Sequence, residues 1–206
     1  MTMNDEPQMT DVLAALPETT DADLAALHDR LVASADAGEL VDVAYRTIDT
    51  PVGPLLLAAT PQGLLRVAYE SEGHDRVLAG LAGQVSPRIL NAPRRLDTAA
   101  RELEEYFAGA RRRFDLPLDL SLSRGFRLAV LSHLPGIGYG QTASYGAVAA
   151  LAGRPRAARA VGTACSTNPL PVVVPCHRVV RADGEIGAYL GGPAAKRLLL
   201  SLEAAA

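Results

Sequence analysis

TASYGAVAALAGRPRAARAVGTAC, residues 142–165, reads as two short helices on either side of a tight turn. Thr142 or Ser144 can cap a first helix carrying Tyr145, Val148 and Leu151, because a side-chain oxygen there satisfies free backbone N–H groups. Gly153 makes the turn. Pro155 fits a first helical position, where its missing N–H would be unpaired anyway. A second helix then runs to about Cys165. This order is that of a helix-turn-helix, whose second helix meets DNA. Ala157, Ala158, Ala160, Gly162 and Ala164 leave the second helix nearly bare, with Arg159 projecting from it. A slim helix can approach a minor groove only about 6 Å wide. Small residues equally suit tight helix packing, but Arg154, Arg156 and Arg159 beside them favour phosphate contacts.

Upstream, residues 20–38 have an amphipathic helical pattern. Thr20 or Asp21 can cap it, Leu24, Leu27, Leu31 and Val32 share a face, and Gly38 can end it. From Val41 the period changes to short β-rich runs, VAYRTIDTPVG, LLLAAT and LLRVAYE, separated by Pro- and Gly-containing turns, as in an antiparallel meander. Helical patterns follow at 74–85 and 97–108. FDLPLDLSL (114–122) reads as an extended connection, and 123–134 as a helix with Phe126, Val130, Leu131 and Leu134 inward. GIGYGQ (136–141) has the wrong glycine spacing for a dinucleotide fingerprint and is taken as a loop. The expected fold is α+β: a small N-terminal antiparallel sheet with helices, then a mainly helical C-terminal domain with the helix-turn-helix. The divisions are an acidic extension 1–40, an α+β domain 41–115, and a C-terminal domain 116–206.

The 206 residues are 49% hydrophobic and 21% charged, as in globular chains. No apolar run approaches the roughly 18 residues of a membrane span, and the acidic N-terminus lacks the basic start of a signal peptide. A cytoplasmic protein without membrane contact is expected. The net charge of −3 is unevenly spread: residues 1–50 carry 11 Asp/Glu and 2 Arg, while residues from 116 onward carry 4 acids and 9 bases. A basic C-terminal half points to an anionic partner. Two cysteines and four scattered histidines do not have the spacing of a metal site.

NPLPVVVPCHRVV, 168–180, places a thiol, an imidazole and a guanidinium straight after the most apolar run in the chain. Cys176 behind Pro175 can sit in the first turn of a short helix, where unpaired N–H groups favour thiolate. Consecutive side chains on a helix diverge, so His177 would reach Cys176 through a water. A carboxylate behind the imidazole would set its tautomer, and Glu203 on the terminal helix is the candidate. Such a relay suits a nucleophilic cysteine.

NPLP (168–171), PCHRVV (175–180), GEIGAYLGG (184–192) and KRLLLSLE (196–203) together resemble the O6-alkylguanine-DNA alkyltransferases, also called methylated-DNA–protein-cysteine methyltransferases. The resemblance runs from about Gly125 to Glu203 and more weakly from Val41 to about Leu116. It implies repair of double-stranded DNA containing O6-alkylguanine: the base is flipped into a pocket and its alkyl group moves irreversibly to cysteine, once per chain. Cys176 would be the acceptor, His177 the water-mediated base, Glu203 its orienting carboxylate and Asn168 the hinge to the helix-turn-helix. Arg159 would fill the gap left by the flipped base, with Ala158 beside it on the DNA face. Tyr145 would help rotate the nucleotide and bond the base, and Pro171, Val179, Tyr189 and Leu190 would line the pocket. The resemblance implies a monomer with no cofactor, no metal and no nucleotide.

Two positions depart from the family. Leu131 stands where a Trp is common, and Leu190 where a Ser often follows the pocket tyrosine, although the backbone N–H used there toward the guanine oxygen is kept. Two other classes remain open at this point. One is a DNA-binding regulator with a structural or sensing thiol; the other is a cysteine hydrolase that turns over.

Overall fold

The computed structural model describes residues 19–205 and divides into two compact units, 1–40 and 41–206. Residues 1–18, the head of the acidic extension, lie outside the described residues. In the first unit, helix α1 spans Asp21–Ala37. The Thr20 side chain accepts from Asp23 N at 3.2 Å, and the Asp23 carboxylate accepts from Thr20 N at 3.0 Å, a reciprocal capping box. Gly38 caps its other end. Leu24, Leu27 and Leu31 are each at least half exposed.

The second unit begins with strands β1 (Val43–Ile48), β2 (Leu55–Thr60) and β3 (Gly63–Tyr69), an antiparallel meander as expected. After helix α2 (His74–Gln84), a short strand β4 (Ile89–Asn91) adds to β1 in parallel, giving the order β3-β2-β1-β4. The sequence reading missed β4, because three residues are too few for a visible alternation. The sheet is therefore mostly, not wholly, antiparallel. Leu55, Leu56, Leu57 and Ala58 are all buried, so both faces of β2 are covered, which explains the unbroken apolar run. Val43, Ala58, Leu65 and Leu81 form a core cluster between the sheet and α2.

Helix α3 (Asp97–Phe107) precedes the connection, which runs beside β3: Leu64 N donates to Pro117 O at 2.8 Å and Asp119 N to Leu64 O at 2.9 Å. Gly63, with φ of 141°, is required there, since a Cβ would strike the Pro117 carbonyl.

Beyond it come α4 (Gly125–His133), β5 (Ala143–Ser144), α5 (Tyr145–Leu151), α6 (Ala158–Ser166), β6 (Val179–Val180) and α7 (Gly192–Ala204). The helices α5 and α6 are the expected pair, and α4 packs against both. Ser144 is the cap, accepting from Ala147 N at 3.1 Å. The second helix starts later than expected. Pro155 lies in the connection, where Ala157 N bonds Arg154 O, and α6 begins only at Ala158. A two-residue parallel ladder, Ala143–Ser144 against Val179–Val180, ties the entrance of this pair to the Cys176 segment. No described helix is long and apolar enough to cross a membrane.

Candidate active site

The segment between α6 and β6 is buried from Asn168 to Val180. Val172 holds φ at 71°, a left-handed conformation that costs a β-branched residue about 1–3 kcal/mol. That reversal lets Val174 N reach Leu170 O at 2.8 Å. Asn168 braces the turn from inside. Its side-chain oxygen accepts from Leu170 N at 3.0 Å, and its Nδ2 donates to Val174 O at 2.9 Å and to Cys176 Sγ at 3.1 Å. The hinge residue expected from the sequence thus touches the thiol itself.

Cys176 begins a three-residue 3-10 turn, Cys176–Arg178. This corrects the expectation that a helix start favours thiolate. One short turn supplies little dipole, and burial pushes the thiol up to about 11, against the opposing pull of the Asn168 amide and the Lys196 charge. Cys176 is 1% exposed.

His177 Nε2 lies 2.8 Å from Glu203 Oε1, and both residues are buried. Burial, helped by the positive charges of Arg178 and Lys196, lowers the imidazole's pKa and outweighs the pull of Glu203. The Glu203 carboxyl is held down at about 2 despite burial, through bonds from His177, Arg178 and Tyr106. A neutral imidazole beside a fixed carboxylate places its proton on Nε2. Nδ1 is then left as an acceptor, and this atom is buried without a protein partner.

Glu203 is gripped from four directions. Arg178 donates from Nε to Oε2 at 2.9 Å and from an Nη to Oε1 at 2.9 Å, while its other Nη holds Ile137 O at 2.6 Å. Tyr106 Oη on α3 donates to Oε1 at 2.7 Å, and Gly140 N donates to Oε2 at 3.2 Å. A buried carboxylate is tolerable only when its oxygens are satisfied in this way. Sequence reading missed Tyr106, Arg178 and Gly140 as parts of the site. The Arg178 guanidinium was singled out after the apolar run but given no role. Nothing in the spacing of Tyr106 could have revealed it, and Gly140 lies in the loop read only as a failed fingerprint.

Of the expected pocket residues, Pro171, Val179 and Tyr189 are buried, and Val179 O accepts from the fully buried Lys196 Nζ at 2.6 Å. Tyr189 meets His177 edge-on with ring centroids 6.4 Å apart. Tyr145, half-buried at the start of α5, lies so close to the backbone of Gly187 that a Cβ there would collide with its hydroxyl. Leu190 lines a groove of about 400 Å³ with Arg66, Glu72, Arg127 and Pro169. Arg159 is exposed on α6, next to the half-buried Ala158. Arg154 stacks on Phe126 at 5.2 Å. Among the described residues no cluster of His, Cys, Asp and Glu could hold a metal ion.

The geometry can be set beside known proteins. Residues 125–205 match the DNA-binding domain of 6-O-methylguanine DNA methyltransferase, and residues 43–120 match the ribonuclease-like domain of the same family. A methylated-DNA–protein-cysteine methyltransferase of Mycolicibacterium paratuberculosis is 40% identical over 78% of this chain and 92% of its own length. Crystal structures of the Mycobacterium tuberculosis O6-methylguanine methyltransferase are similarly close. One has a TM-score of 0.65, and another, in complex with DNA, has 0.67; both are 40% identical, covering 79% of this chain and 93% of theirs. On this agreement of sequence, fold and extent, the chain belongs to the 6-O-methylguanine DNA methyltransferase family.

Proposed function

We propose that the chain repairs double-stranded DNA by taking the alkyl group from O6-alkylguanine onto Cys176. What carries the reading is one juxtaposition: the Cys176 thiol under the Asn168 amide, next to a His177 whose tautomer Glu203 holds. Nδ1 of His177 takes the thiol proton through a water. The sulfur then attacks the alkyl carbon, an S–C bond forms and the C–O bond breaks. The electron pair leaves on guanine, which takes up one proton, so a thiol and an alkylguanine become a thioether and guanine. The Leu190 backbone N–H serves the guanine oxygen as that charge develops. A stacked base is out of reach, so the nucleotide is extruded at a cost of a few kcal/mol, with Arg159 occupying its place and Tyr145 steering it. The protein acts as a monomer, and the exposed Arg154, Arg156 and Arg159 supply phosphate contacts.

The test is incubation with duplex DNA carrying labelled O6-methylguanine. Label is expected on the Cys176 peptide, rising to one equivalent per chain and stopping there. A thioether has no carbonyl for water to attack, so His177 cannot regenerate the thiol. A hydrolase would turn over after an acyl burst, and a regulator would form no product. Label on Cys165, or product beyond one equivalent with Cys176 free again, would defeat the reading.

A further inference from the structure

The sheet of residues 43–91 touches the segments around Cys176 through side chains of β3. Tyr69, the last residue of β3, is 3% exposed, and its hydroxyl lies 2.9 Å from that of Tyr189, with the rings edge-on at 5.9 Å. The backbone of the following loop lies against the same ring: a Cβ on Gly191 would come within 2.5–2.7 Å of three Tyr69 ring atoms. Tyr69 is itself braced, because its backbone N–H donates to Glu72 Oε1 at 2.9 Å, and Glu72 pairs with Arg66. Arg66 in turn donates to the carbonyls of Asn168 and Pro169, and Val67 N donates to Pro169 O at 2.8 Å. A single strand thus holds both the Asn168–Pro169 backbone and the Tyr189 ring.

We propose that Tyr69 is a positioning residue that sets alkyl-size preference, by latching the Tyr189 ring in place against His177. This rests on the repair reading above. The latch consists of two neutral hydroxyls, both pushed well above the ordinary tyrosine range by burial. A larger substituent on the guanine oxygen requires the Tyr189 ring to pivot, which breaks a bond whose ends find no water. Leu190, the next residue, lines the groove with Arg66 and Pro169. Tyr69→Phe keeps the ring under Gly191 and removes only the latch. Tyr189→Phe removes the same latch from the other side.

The measurement is the single-turnover rate of transfer from O6-methylguanine and from O6-benzylguanine placed in the same duplex, so that DNA binding cancels. In each single variant the benzyl-to-methyl ratio should rise by about fivefold or more, the effect of one lost buried hydrogen bond. The double variant should match the singles, since both remove one interaction. A ratio within about twofold of wild type in both single variants, or an equal slowing of both substrates, would overturn the assignment and leave Tyr69 a packing residue. Absence of transfer by the wild-type chain would overturn the repair reading and this proposal with it. Transfer by wild type with an unchanged ratio in the variants would overturn this proposal alone.

Discussion

Tyr106 and Glu203 stand 97 positions apart in the chain, yet the tyrosine hydroxyl donates at 2.7 Å to the carboxylate oxygen that also faces His177. The helix that carries Tyr106 belongs to the part of the chain whose sequence contains no recognisable chemistry. Its ring is wedged among Phe107, Phe114 and Tyr139, with centroids 5.3–6.1 Å away, so the hydroxyl has little freedom to point elsewhere. Tyr106→Phe should preserve this packing and lower stability by about 1.5–3 kcal/mol, the range for a bond to a charged group. Transfer should slow by roughly fivefold, with DNA affinity unchanged. Rate and affinity measured separately check this, and a loss confined to affinity would refute it.

Arg159 projects from a helix otherwise made of small residues, and the proposed role is extrusion of the damaged base. Arg159→Ala should slow repair of duplex DNA by about tenfold or more, the effect of losing part of an extrusion energy of a few kcal/mol. Reaction with free O6-benzylguanine, which needs no extrusion, should be little changed. Equal losses on both substrates would make Arg159 a structural residue.

Acid acts on the relay in two stages. His177 prefers the neutral form in the fold, so an unfolded chain binds more protons below its ordinary value of 6.5, and stability falls as pH drops. Glu203 is held at about 2 against an ordinary 4.5, so its contribution is complete above 4.5 and is lost as pH falls toward 2. Thermal melts should show both limbs, and Glu203→Gln should remove the lower one while weakening the protein at neutral pH. Transfer should be level across neutral pH and decline only below the ordinary imidazole range. A sharp fall in rate centred at 6.5 would mean that His177 is not buried as a neutral base.

Deleting residues 1–40 removes nine acids and one arginine and moves the net charge from −3 to +5. The remaining residues form a compact unit of their own. Transfer at saturating DNA should stay within about twofold of the full chain, and DNA binding should tighten at low salt, with the difference shrinking as salt screens it. Loss of activity on deletion would show that the segment is needed by the repair unit.

The elements legible in the sequence were those with a period or a punctuating residue. Thr20, Ser144 and Gly153 marked helix ends through their own side chains or lack of one, and the meander announced itself through its turns. Strand β4 and the ladder between Ser144 and Val180 were invisible, because two or three residues carry no period and their pairing is made by distant chain. Cys176, His177, Asn168 and Glu203 could be gathered because they lie within 36 residues in a recognisable motif. Tyr69 and Tyr106 could not be gathered that way. Their roles are created by the fold, which brings one edge of a sheet and one helix end against a segment some hundred residues later. The thiol's state was misjudged because a sequence shows the turn that would favour ionisation but not the burial that opposes it.

That burial has a consequence for the lifetime of the molecule. A protein whose acceptor atom works once is depleted by every stray electrophile or oxidant that reaches the sulfur. A surface cysteine ionised at neutral pH would be lost steadily to such encounters. Cys176 is 1% exposed, and burial pushes its thiol up to about 11, which shields the sulfur from them. On the proposed reading its reactivity is withheld until a guanine fits beside Asn168 and His177, so the stock of unreacted chains should decline with the number of lesions repaired rather than with age.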